Sequence, residues 1–195
     1  MVALRLTTPP TIEPLSLTEA KAHLRYEESD KDTDIEALIV MARQACEVAT
    51  NRAMLTQDWV LALDGFPGRS GIIELLRPPL QEVLEITYTD LNGEAQNLSA
   101  EYYQVDTISE PGRVMPARNC LWPETDSGTM NAVQISYRAG WETAAEVPAQ
   151  VIGAMKLFVA HYFENLSAVL TGLTPAELPL SARWLLQQIR VPFLG

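Results

Sequence analysis

Two stretches of helical periodicity stand far apart in this 195-residue chain, and neither can fold by itself. In the first, Ile35, Leu38, Ile39, Ala42, Cys46 and Ala49 recur at helical spacing, with Arg43, Gln44 and Glu47 on the other side. In the second, Val151, Ile152, Met155, Phe158, Val159, Tyr162 and Phe163 form a broad apolar stripe. Isolated helices of this length are marginal in water and gain their stability from packing. The economical arrangement packs the two ends of the chain on one another and inserts whatever lies between.

Local signals sharpen the boundaries. Residues 1–14 are rich in Thr and Pro and read as an extended arm. Ser16-Leu17-Thr18-Glu19 is a capping box for a first helix. Thr33-Asp34-Ile35-Glu36 reads as a second box, opening a helix that stops near Thr50-Asn51. Pro148 suits the first turn of the helix with the broad stripe. After a loop over 168–178, Pro179 opens a last short helix with Leu185, Leu186 and Ile189 apolar.

The middle of the chain has a different texture. Trp59, Leu61 and Leu63 alternate with Asp58, Val60 and Ala62, as in a strand. Residues 72–76, 83–89, 102–107 and 132–138 are further strand candidates, and Asn92-Gly93 is the strongest hairpin signal. The stretch 110–130, with Pro111, Gly112, Pro116, Pro123 and Gly128, reads as a long irregular loop, which in a compact domain is functional or docked on something else. The expected fold class is therefore α+β. Residues 1–14 form an arm, 15–55 and 144–190 a small helical bundle, 56–143 an inserted β-rich subdomain, and 191–195 a tail.

Charge and composition narrow the function. Lys and Arg number 14 against 25 Asp and Glu, a net charge of −11. Such a chain is a poor candidate for gripping nucleic acid, which needs a basic face. No apolar run approaches the roughly 18 residues of a membrane span. The opening MVALRLTTPP has no long apolar core, so no secretory signal is expected. Cys46 and Cys120 make no disulfide framework, and Cys46 lies on an apolar stripe as core packing. His23 and His161 pair with no Cys, Asp or Glu at metal-ligand spacing, and HExxH, CxxC, GxSxG and phosphate-cradling Gly-rich loops are absent. No catalytic residue, metal or cofactor is expected.

Three groups of residues stand out nonetheless. Asp30, Asp32 and Asp34 have the alternating spacing of a calcium loop, but Ile35 replaces the required Gly and Met41 the closing Glu. These acids are better read as complementing the dipole of the helix after them. Trp122 sits among prolines in the irregular stretch, where a Trp either clamps its own loop or anchors a partner. The end of the chain, Val191-Pro192-Phe193-Leu194-Gly195, is apolar and either folds back or inserts into a neighbour.

Taken in order, these pieces resemble the head–tail connector (adaptor) proteins of long-tailed bacteriophages and prophages, in the longer subfamily with a β insertion. The resemblance runs through Leu15 to Arg25, the helix from Asp34 to Ile39, Thr50-Asn51-Arg52-Ala53 and Arg77-Pro78-Pro79-Leu80. It continues through Gly112-Arg113, Trp122-Pro123, Tyr137-Arg138-Ala139-Gly140-Trp141, Val147-Pro148 and His161-Tyr162-Phe163-Glu164-Asn165, ending at Leu178-Pro179 and Arg190-Val191. The final Pro192 to Gly195 departs from the family, which ends close to Arg-Val.

The resemblance implies a structural virion protein with no catalytic residues. Copies form a ring below the portal, extend the DNA channel, and offer a platform to head-closure (stopper) or tail-terminator proteins. A copy number of about twelve matches the portal, and ring closure needs a heterologous interface. DNA passes through without sequence-specific binding, and no membrane is involved. The protein is made in the bacterial host cytoplasm and resides in the virion neck. Glu27, Glu28, Asp30, Asp32 and Asp34 are then candidates for lining the channel, where acids let DNA slide. Trp184, Arg190, Val191, Pro192, Phe193 and Leu194 are candidates for docking on the portal or a neighbouring subunit. Another head-closure or tail-completion protein is the nearest competing reading; a small soluble enzyme or ligand-binding domain is a more distant one.

Overall fold

A computed structural model describes residues 2–165 and 180–192. The chain divides into two compact units. One comprises Met1–Pro10 with Thr56–Gly140, the other Thr11–Leu55 with Trp141–Gly195.

The helical unit is built from α1 (Leu17–Leu24), α2 (Asp32–Thr50), α3 (Ala149–Glu164) and α4 (Leu180–Gln187). The Ser16 box forms as its spacing requires: Ser16 Oγ accepts from Glu19 N at 3.2 Å, and Ser16 N donates to the Glu19 carboxylate at 3.1 Å. The expected box at Thr33 does not form. The helix starts at Asp32, so Thr33 lies inside its first turn, and Lys31 at the cap position makes no side-chain capping bond. Asp32 and Asp34 instead complement the amino-terminal dipole. At the other end Asn51 adopts a left-handed conformation (φ 59°) and stops α2 where the sequence placed the stop. Both apolar stripes meet in one core: Ile35, Leu38, Ala42 and Cys46 of α2 with Val151, Met155 and Phe158 of α3, all fully buried.

Arg43 is buried beside this core. It donates through Nε to Glu13 at 2.8 Å and through Nη1 to Glu47 at 2.9 Å, so both of its ion-pair partners come with directed hydrogen bonds. That pairing makes a buried guanidinium tolerable and ties residue 13 to the middle of α2.

Among the described residues the β unit contains eight strands, all paired antiparallel. β1 (Val2–Thr8), β2 (Gln57–Leu63), β4 (Leu80–Thr89), β5 (Ala95–Asn97) and β8 (Val133–Ala139) form a sheet in the order β1-β2-β8-β4-β5. β3 (Ile73–Leu75), β6 (Tyr103–Asp106) and β7 (Gly112–Pro116) form a second sheet, β3-β7-β6. Two close approaches join the sheets. Tyr137 of β8 donates its hydroxyl to Leu76 O at 2.7 Å, just beyond β3. A Cβ on Gly112 of β7 would fall 2.5 Å from the Leu80 side chain of β4, so only glycine fits there.

The structure departs from the sequence reading at two places in this unit. The segment read as an extended arm contains β1, which pairs with β2 over its length and belongs to the β unit. The stretch 110–130 is not irregular throughout, because Gly112–Pro116 is the central strand of the small sheet.

Removing the centre of the helical core should be costly. Phe158→Ala is expected to destabilise the helical unit by about 3–5 kcal/mol, and Ser16→Ala by about 1 kcal/mol. Urea unfolding followed by circular dichroism measures both; equal losses would show that the core is not centred on Phe158.

Candidate docking surfaces

The acidic loop between α1 and α2 is less uniformly acidic in space than in sequence. Glu27, Glu28 and Asp30 are exposed, whereas Asp32 and Asp34 are half-buried. Asp32 pairs with Lys21 at 2.5 Å. Asp30 accepts a short hydrogen bond from the Tyr26 hydroxyl, and this bond pushes the phenol pKa up to about 12. Lys31 lies over the rings of Tyr26 and Phe163, 5.6 and 5.2 Å from their centres. Of the three exposed carboxylates, Glu27 and Glu28 therefore have no hydrogen-bond or ion-pair partner among the described residues. Among those residues no group of three or more His, Cys, Asp and Glu side chains could hold a metal ion.

Trp122 is only 2% exposed. Its ring stacks on Phe66 at 4.7 Å with planes 7° apart, and its Nε1 donates to Gly71 O at 2.7 Å. Its backbone N–H also donates to Arg69 O at 2.8 Å. The side chain thus pins its own loop to the 66–71 turn, the first of the two roles open to it. A turn in the small sheet is fixed by Asp106, whose carboxylate takes hydrogen bonds from Arg113, at 2.6 Å from Nη2, and from Ser109. The Arg113 guanidinium is the main reason this carboxyl sits far below its usual range.

The carboxy-terminal candidates divide. Trp184 is 64% exposed on α4, and Arg190 and Pro192 are exposed beyond it. Val191 is buried and held by its own unit: its N–H donates to Thr50 O at 2.9 Å, and its carbonyl accepts from Asn51 Nδ2 at 2.9 Å. It is not free to dock as a side chain while these bonds stand. Phe193 and Leu194 lie outside the described residues, as do Pro179 and the loop 168–178.

Sequence reasoning passed over one surface. The last turns of α2 and the length of α4 flank an open groove of about 550 Å³, lined by Val48, Leu180 and Leu186 with Arg183 and Arg190. The one signal in the sequence was Val48, an apolar residue outside the stripe of α2 and 71% exposed.

The two thiols differ sharply. Burial pushes the Cys46 thiol far above its usual pKa, whereas Cys120 is half-exposed. A thiol-reactive dye is expected to titrate one cysteine per native chain and two after unfolding; rapid reaction of both in the native state would contradict the packing of α2.

No family model and no curated protein matches the chain. Solved structures do. A chain in the neck of an empty gene transfer agent particle, computed with C6 symmetry, superposes with a TM-score of 0.73 at 20% identity, covering 98% of both chains. A chain in the virion of the native particle gives 0.73 at 22% identity over 97% of both. One in the native neck, computed with C12 symmetry, gives 0.68 at 21% over 98% of both. The α+β fold of this chain, end to end, is that of chains found in the neck and virion of gene transfer agent particles.

Proposed function

We propose that the chain is a structural, non-enzymatic component of the neck of a phage-type particle, a head–tail connector whose copies close a ring below the portal. The observation that carries this reading is the superposition on neck chains over 98% of both partners, with no unmatched domain left on either side. The sequence resemblance to connector proteins supports it independently. A ring of about twelve copies accords with the C12 symmetry of one neighbouring neck structure.

The charge of the chain suits that place. A ring around DNA with a basic lumen would hold phosphates and stall passage. At a net charge of −11 the protein repels the duplex as a whole. The finer assignment of the acidic loop to the lumen draws little support from the geometry, because Asp32 is neutralised by Lys21 and Asp30 is bonded to Tyr26. On this reading the partners are the portal, other copies of the chain, and a stopper or tail-terminator protein. Trp184 on α4 and Pro192 beyond it are exposed and open to the portal.

Two measurements test the proposal. Purified chain mixed with the portal ring of its own particle should form a collar visible by negative-stain imaging; a portal that stays bare, together with absence of the chain from purified particles, would refute it. Truncation after Val191, which removes the exposed Pro192 and the residues after it, should leave the melting curve unchanged and weaken portal binding at least about tenfold if this end contributes contact area. Unaltered binding would remove residues 192–195 from the portal contact.

A further inference from the structure

The groove between α2 and α4 differs in chemistry from the rest of this acidic chain. Val48 and Leu180 on its walls are 71% and 82% exposed, and Leu186 forms its floor. From residue 180 to 192 the sequence contains no acid, and Arg183 and Arg190 have no carboxylate partner among the described residues. It is an apolar patch under positive potential, a pattern that calls for an acidic surface to cover it.

The same unit offers such a surface at the opposite end of α2. That helix has 19 residues, about 28 Å at 1.5 Å per residue. Its carboxy-terminal end meets Val191, beside the groove. The loop before its amino-terminal end carries Glu27 and Glu28, exposed and without an ion-pair partner among the described residues, while Lys21 is taken by Asp32 and Lys31 sits over two rings. Complementary charges at opposite ends of one rigid helix cannot satisfy each other within a copy. They can do so between copies, head to tail, the heterologous geometry that closes rings.

We propose that the groove between α2 and α4 receives the acidic loop 27–30 of a second copy of this chain, with Arg183 and Arg190 facing Glu27 and Glu28. This rests on the connector reading and names the contact between adjacent subunits. It gives the loop a protein partner in place of the DNA channel.

A charge exchange in the full-length chain tests it by sedimentation velocity over a range of concentration and ionic strength. Association of the native chain should weaken with salt. Arg183→Glu/Arg190→Glu and Glu27→Lys/Glu28→Lys should each raise the concentration needed for association by about tenfold or more, with unchanged circular dichroism. Mixing the two variants should restore association, since each copy then supplies the charge its neighbour lacks. A native chain that stays monomeric throughout, association indifferent to both reversals, or a mixture that fails to recover would each overturn the contact. So would a Glu27→Lys/Glu28→Lys chain that assembles normally and now retains DNA, which would return the loop to the lumen. Recovery in the mixture with the chain absent from purified particles would uphold the contact and refute the neck reading; a chain present in the neck and indifferent to both reversals would do the opposite.

Discussion

The helical unit is closed by hydrogen bonds between residues some 140 positions apart, and everything else in it depends on that closure. Arg52 donates to Ile189 O at 2.7 Å across 137 residues, and Asn51 to Val191 O at 2.9 Å across 140. The Arg52 guanidinium also faces the Trp141 ring at 5.8 Å. The cost of bringing distant ends together grows only slowly with the length between them, so an inserted β unit is tolerable provided the junction is specific. Specificity is what these bonds add. Asn51 ends α2 in a left-handed turn, and that turn aims its amide, and Arg52 after it, at the last residues of the chain. α2 therefore cannot reach its full packing until the carboxy-terminal segment has arrived.

This closure also explains how the end of the chain divides. Val191 serves the fold, which leaves Pro192 outside it and exposed. From the sequence alone the two could not be separated, because Val191-Pro192-Phe193-Leu194 is one apolar run. The Thr50 carbonyl and the Asn51 amide, which together hold Val191, divide it from Pro192.

Elements defined by their own side chains were legible in the sequence. The stripes of α2 and α3, the Ser16 box, the alternation in β2 and the turn at Asn92-Gly93 all encode local periodicity or local hydrogen bonding, and the structure forms each of them. Elements defined by their neighbours were not. β7 has only Val114 and Met115 as strand-forming residues between Gly112 and Pro116, and it exists because β3 and β6 flank it. β5 is Ala-Gln-Asn, a strand by virtue of the hairpin that presents it to β4. β1 does alternate Val2, Leu4 and Leu6, but the prolines after it masked a strand as an arm. Thr33-Asp34-Ile35-Glu36 satisfied a pattern whose meaning depends on where the helix begins, and the start at Asp32 voids it. The candidate surfaces obey the same rule. The acids of the 27–34 loop were visible as letters, while the pairing of Asp32 with Lys21 and of Asp30 with Tyr26 is tertiary.

The distribution of the cations carries the functional argument furthest. On the proposed connector reading, the protein must adhere to its own copies and to the portal without adhering to phosphate. Both kinds of adhesion can use arginine, and pairing an arginine with a carboxylate weakens its pull on phosphate. Several of the 14 cations here are so paired: Arg43 between Glu13 and Glu47, Arg138 between Asp58 and Glu82, Arg113 on Asp106, Lys21 on Asp32. Apart from the buried pairs of Arg43, such surface pairs contribute little stability, on the order of 0–1 kcal/mol each, so stability alone does not account for them. Their larger effect is on the potential outside the molecule, where a paired guanidinium no longer attracts a phosphate. Arg183 and Arg190, on α4 and its carboxy-terminal flank, are exposed as Arg5, Arg25 and Arg118 are, and they lie beside exposed apolar side chains that a protein surface can cover and a sugar-phosphate backbone cannot.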